Sequence, residues 1–150
     1  MIYCIIIGAF IFNYFVAVST IPFKLSELVS TFDLPPLGIM VMLLLVYLVL
    51  GCFIDAAAMV LLTIPVFFPL AMNIGFHPIW FGIILVRAVE MAMITPPIGM
   101  NVYVIKGIAK DVPIETIFRG IIPFLIADIC HISLLLFVPQ IVLFLPNLMF

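Results

Sequence analysis

Residues 37–71 form one apolar stretch that is too long to cross a bilayer as a straight helix. Its thirty-five residues would run about 52 Å as continuous helix, against about 30 Å of hydrocarbon. The stretch is interrupted at Gly51-Cys52-Phe53-Ile54-Asp55, and each half alone covers about 24 to 26 Å. The halves are therefore either two short full spans or a re-entrant hairpin, which enters the membrane, turns near residues 51–55 and leaves on the same side. Asp55 at such a turn has two roles open to it. It can cap the helix that starts at Ala56, or its carboxylate can hold a bound cation. Gly51, four residues earlier, is expected to give the turn a positive φ and expose its carbonyls.

The rest of the chain is of the same kind. With 68% hydrophobic and 8% charged residues, it lies outside the range of soluble domains. Its apolar runs approach the roughly 17 to 25 residues of a membrane helix, and none alternates with period two as a barrel strand does. The expected class is an all-α polytopic membrane protein in a lipid bilayer. A net charge of -2 without a basic stripe speaks against nucleic acid as a partner. Cys4, Cys52 and Cys130 lie far apart in apolar runs and read as small buried residues, not as disulfides or a metal site.

A second interruption is sharper. Met93-Ile94-Thr95-Pro96-Pro97-Ile98-Gly99-Met100-Asn101 stands where an uninterrupted helix would otherwise run. Pro96 and Pro97 have no N–H, so the carbonyls of Ala92 and Met93 lose their helical donors, and Thr95 is pushed out of the α region. In hydrocarbon such freed groups are tolerated only where protein, water or a bound ion satisfies them. The segment is thus a packed kink or a binding site. Thr95 offers a hydroxyl, Asn101 an amide oxygen, and Gly99 room for a ligand. These hard oxygen donors suit a small alkali cation, and the half-helix ends suit a cation on one side and an anionic substrate group on the other.

In chain order, residues 2–18 form a first span with Asn13 as its one strongly polar interruption, expected to make an interhelical hydrogen bond. The span follows no basic residue and precedes no small-residue cleavage site, so it reads as a membrane helix and not a signal peptide. Residues 24–33 place Leu25, Leu28, Val29 and Phe32 at helical spacing, an interfacial amphipathic helix closed by Pro35-Pro36. Pro65 and Pro69 bend the second half of the long stretch. Gly75-Phe76-His77-Pro78 is a turn with a solvated His. Lys106, Lys110, Asp111, Glu115 and Arg119 mark an exposed loop or short surface helix, cytoplasmic by the positive-inside rule. Residues 120–145 form the last span, kinked at Pro123 and Pro139 and stopped by Pro146.

Four further ionisable groups fall within apolar runs. Arg87 and Glu90 are one turn apart and are expected to pair. Asp128 and His131 share that spacing, either as a buried polar pair or as a proton relay. No Ser/His pair, metal cluster or phosphate-binding loop stands out, and an aspartyl protease pairing of Asp55 with Asp128 lacks its flanking sequence, so no enzyme is expected.

Gly51 to Asp55, Pro65 and Pro69, and above all Glu90-Met91-Ala92-Met93-Ile94-Thr95-Pro96-Pro97-Ile98-Gly99-Met100-Asn101 followed by Gly107-Ile108-Ala109 resemble a known family. They are similar to the C-terminal third of the large membrane subunit (DctM-like) of tripartite ATP-independent periplasmic (TRAP) transporters. The resemblance extends to Arg119-Gly120, Pro123-Phe124 and Pro146. It implies two inverted repeats in the whole subunit, of which this chain is most of the second. Residues 1–36 would be a scaffold helix and connecting arm. Residues 37–110 would be half of a transport domain, made of a re-entrant hairpin (37–73) and a discontinuous helix (79–110). Residues 111–150 would be a surface loop and the last span. Arg87 near the break, and Ala92 where the family often has Gly, depart from the pattern.

The resemblance further implies a Na⁺-coupled importer of organic acids in the bacterial inner membrane, served by a periplasmic substrate-binding protein and a small membrane subunit, with no cofactor. Na⁺ would lie near Gly51, Asp55, Thr95 and the backbone of Ala92 and Met93, and substrate near Pro97, Gly99 and Asn101. At 150 residues the chain is short for a transporter, so it is expected to be a fragment or part of a larger assembly that would not transport alone. Two other readings remain open: a carboxylate carrier that works without a binding protein, and a membrane scaffold whose breaks serve only packing.

Overall fold

The computed structural model describes residues 2–30, 35–96 and 99–149. Those residues form eight helices and no strand: α1 (Ile2–Val18), α2 (Ile21–Ser30), α3 (Pro36–Gly51), α4 (Ala56–Ile74), α5 (Pro78–Ile94), α6 (Met100–Ile108), α7 (Ile114–Phe137) and α8 (Pro139–Met149). α4 and α7 are each long and apolar enough to cross a membrane. The chain is an all-α membrane protein.

α1 and α2 meet at a 64° bend, turned by Thr20 at φ 56°. With Pro22 in its first turn, where its missing N–H costs nothing, α2 begins three residues earlier than the amphipathic spacing suggests. Val29 is buried as expected, whereas Leu28 is exposed, and Phe32 lies outside the described residues. Asn73 of α4 donates to the Ser26 hydroxyl at 3.2 Å, tying α2 to the outer end of the hairpin. The interhelical bond expected of Asn13 is not formed among the described residues, since its Oδ1 is buried without a partner.

α3 and α4 run antiparallel around a turn at residues 52–55. Tyr47 packs its ring edge-on to Phe67, 5.7 Å between centroids, and its hydroxyl stands 2.6 Å from that of Thr63. Thr63 donates in turn to the Met59 carbonyl at 2.7 Å, so Tyr47 is the donor of the pair. This polar thread joins the two arms and leaves no hydroxyl unsatisfied.

α5 is the central helix, packed against α3, α4, α7 and α8. Trp80, Ile84, Ala88 and Ala92 form one buried row, and Phe81, Leu85 and Val89 the next, at the four-residue spacing that stacks side chains on one helix face. Gly75 ends α4 in the left-handed conformation at φ 93°, and the His77 imidazole caps α5, accepting from the Ile79 N–H at 3.3 Å.

The C-terminal part differs from the expected loop and single span. α6 runs through Lys106 to Ile108, and the Lys106 ammonium donates to the carbonyls of Lys110 and Val112 at 2.7 and 2.8 Å, closing the connection. α7 then starts at Ile114, so Glu115 and Arg119 belong to its first turns. Pro123 sits inside α7, but Pro139 splits the expected span into α7 and α8, and Pro146 lies within α8 without stopping it. Cys4 and Cys130 are exposed and Cys52 half-buried, because the outward faces of α1 and α7 are themselves apolar.

Candidate functional site

Gly51 ends α3 and Ala92 lies in the last turn of α5, and the two residues touch. A Cβ built on Gly51 would overlap the Ala92 Cβ and lie 3.3 Å from its Cα. Both residues are buried. Gly51 is helical and does not have the positive φ expected of it, which among the described glycines occurs at Gly75 and Gly99. Its missing side chain serves close approach, not the turn. The opposite ends of α3 and α5 also share one cleft, lined by Leu37 and Trp80, so the two helices run parallel. Their C-termini therefore end side by side.

Helix C-termini carry the negative end of the macrodipole, roughly half a charge each. Two such ends in contact make the level of Gly51 and Ala92 electronegative. The turn that follows Gly51 is tight, with the N–H groups of Phe53 and Ile54 both donating to Leu50 at 2.9 Å. It delivers Asp55 to the start of α4. The Asp55 Oδ2 accepts from the Ala57 N–H at 3.1 Å. The capping role is thus observed, and the second carboxylate oxygen is left for another partner.

On the other side, α5 stops at Ile94. Thr95 is extended, with φ -75° and ψ 132°, as a residue before proline must be. Its N–H and its hydroxyl both donate to the Met91 carbonyl, at 3.0 and 2.5 Å. A hydroxyl whose proton is spent in this way has its lone pairs free to accept. Among the described residues no donor reaches the carbonyls of Ala92 and Met93. Gly99 is buried at φ 47°, and a Cβ there would stand 3.2 and 3.3 Å from the carbonyl oxygens of Ile94 and Thr95. Only glycine lets the chain fold back over those oxygens. Asn101 is exposed in the first turn of α6, and Pro97 lies outside the described residues.

The contrast with Pro139 is informative. That proline frees the Leu135 carbonyl, and the indole N–H of Trp80 donates to it at 2.8 Å. One proline break is therefore closed by a protein donor, and at the other no donor among the described residues reaches the freed carbonyls. Among the described residues no three His, Cys, Asp or Glu gather as a transition-metal site would require. Backbone carbonyls and a hydroxyl at the end of α5, and the Asp55 carboxylate at the start of α4, are donors of the kind that suits a hard cation.

The remaining membrane charges form one group. Arg87 donates to Glu90, as their spacing suggests, and also to Asp128 on α7. Asp128 is thus engaged away from His131, which is exposed, and the expected pairing of those two is not formed. Sequence reasoning missed both α5–α7 links. Pro139 signals a freed carbonyl at Leu135, but nothing local in the sequence names Trp80 as its donor.

A family model described as the tripartite ATP-independent periplasmic transporter DctM component matches residues 1–141. The sialic acid TRAP transporter large permease protein SiaM of Vibrio cholerae is 32% identical over 143 residues, 95% of this chain and 33% of that protein. The C4-dicarboxylate large permease DctM of Pseudomonas aeruginosa is 31% identical over 147 residues, 98% and 34%. Its counterpart from Rhodobacter capsulatus is 33% identical over 149 residues, 99% and 34%. The chain spans about a third of the length of these relatives. The matched proteins are transport permeases and not enzymes, and the chain belongs to the DctM component family of tripartite ATP-independent periplasmic transporters.

Proposed function

We propose that this chain forms the second half of the transport core of a TRAP large permease, in which the hairpin tip and the broken helix together hold Na⁺. In this reading α3 and α4 are a re-entrant hairpin, and residues 37–110 work as one unit against a scaffold that includes α1. The supporting observation is the Gly51–Ala92 contact, which brings two helix C-termini together beside carbonyls that no described donor satisfies. Na⁺ takes the carbonyls at the end of α5, the Thr95 hydroxyl and the free oxygen of Asp55. The N-termini of α4 and α6 carry positive ends, which favour the carboxylate of an organic acid, with Gly99, Asn101 and Pro97 as the adjoining surface. The complete permease imports that acid across the bacterial inner membrane, received from a periplasmic binding protein and accompanied by a small membrane subunit. Relatives named for C4-dicarboxylates and sialic acid support an organic acid as the substrate.

The test is uptake by the complete permease in proteoliposomes with an imposed Na⁺ gradient. Asp55→Asn and Thr95→Val are each expected to abolish Na⁺-dependent uptake, while Thr95→Ser, which keeps the hydroxyl, retains it. Uptake by the first two variants with unchanged Na⁺ dependence would overturn the assignment.

A further inference from the structure

Trp80 and Leu135, and Arg87 and Asp128, are two polar links between the same pair of helices. Trp80 precedes Arg87 by seven residues and Leu135 follows Asp128 by seven. Both links therefore share one antiparallel register of α5 on α7, spaced about 10.5 Å along the axes. Between membrane helices apolar packing alone tolerates sliding, because lipid tails solvate the separated faces as well as a neighbouring helix does; polar links fix the register instead.

We propose that Arg87 is a positioning residue for the cation site, and that its bridge to Asp128 sets how far the broken end of α5 projects. The proposal rests on the Na⁺ reading above. The guanidinium holds Asp128 on α7 with one nitrogen and Glu90, in the next turn of α5 towards the break, with another. One planar group thereby ties the end of α5 to α7, and Ala92 and Thr95 follow Glu90 within five residues. A slip of one residue moves the α5 carbonyls about 1.5 Å, several times the tolerance of a metal–oxygen distance. The cost of holding Arg87 there is visible in its Nε, which is buried and has no partner among the described residues. The other ionisable residues of α7 lie elsewhere: Glu115 and Arg119 in its first turns, and Cys130 and His131 exposed.

The experiment measures the Na⁺ concentration for half-maximal uptake (K0.5) and the maximal rate of the complete permease, together with its Tm with and without Na⁺. Asp128→Asn and Arg87→Lys, which lose the bridge or its fork, are expected to raise K0.5 for Na⁺ at least threefold with less than a twofold change in maximal rate. The exchange Arg87→Asp with Asp128→Arg is expected to restore K0.5 to within twofold, which a merely stabilising pair does not require. Glu90→Gln, which keeps the bridge to α7, is expected to shift K0.5 less than Asp128→Asn. Variants that lower Tm but leave K0.5 unchanged, or an exchange that fails to restore it, would overturn the positioning role. Wild-type uptake indifferent to Na⁺ would overturn the cation reading itself.

Discussion

Gly51 and Ala92 divide one methyl group between two helices: the end of α3 carries no Cβ where the end of α5 carries one. The geometry forbids a Cβ on both sides. Gly51→Ala is therefore expected to cost about 1–3 kcal/mol, the usual range for overpacking, and to weaken Na⁺ binding by separating the two C-termini. Moving the methyl across, in the double variant Gly51→Ala with Ala92→Gly, is expected to recover most of both losses. The measurement is Tm and its Na⁺-dependent increment in detergent-purified permease. A double variant no better than Gly51→Ala alone would mean that the contact is not the cause.

At Gly99 two effects coincide. The φ of 47° costs an alanine about 1–2 kcal/mol, and its Cβ also meets the carbonyl oxygens of Ile94 and Thr95. Asn tolerates left-handed backbone better than Ala but brings the same Cβ, so comparing Gly99→Ala with Gly99→Asn separates strain from space. Both variants are expected to lose the Na⁺-dependent rise in Tm, with Gly99→Asn keeping the higher basal Tm. A Gly99→Asn variant with a normal Na⁺ response would show that only the backbone conformation matters.

The two interruptions at residues 51–55 and 95–99 were legible in the sequence because each breaks a helical rule: a span too long for the bilayer, and prolines without donors. The contact that joins their flanks, Gly51 on Ala92, carries no local signal. The reason Gly51 is glycine was not legible, since a close approach depends on a partner 41 positions away, whereas a turn is the local explanation. The same limit hid Trp80–Leu135 and Arg87–Asp128. Local spacing offered Arg87 to Glu90 and Asp128 to His131, each pair within one helix, and only the first forms. It misassigned the second because packing of α5 on α7 brought a guanidinium to Asp128. Pro139 and Pro123 look alike in sequence, yet only the carbonyl freed by Pro139 faces an indole.

Inside the hairpin, Tyr47 donates to Thr63 and Thr63 to Met59. Tyr47→Phe and Thr63→Val are each expected to lower stability by about 0.5–1.5 kcal/mol. Combined, they should cost clearly less than the sum, because both delete the same bond. K0.5 for Na⁺ should stay unchanged, since the pair joins the arms below the tip. Strict additivity would show that the two hydroxyls act independently.

The Trp80–Leu135 bond makes a prediction that separates backbone satisfaction from packing. Trp80→Phe leaves the Leu135 carbonyl buried without a donor, an expected loss of about 1–3 kcal/mol, nearer the lower end for hydrogen bonds between membrane helices. Pro139→Ala restores a backbone N–H four residues beyond Leu135, where helical geometry directs it to that same oxygen. In wild type this substitution gains little, because the indole already holds the oxygen. In the Trp80→Phe background it should recover the part of the loss owed to the carbonyl, and α7 should continue into α8 without its break. What it does not recover is the packing of the lost indole against Phe76, 5.1 Å away between ring centroids. The check is a four-variant thermal cycle. Equal effects of Pro139→Ala in the two backgrounds would show that Trp80 holds α5 against α7 by packing alone.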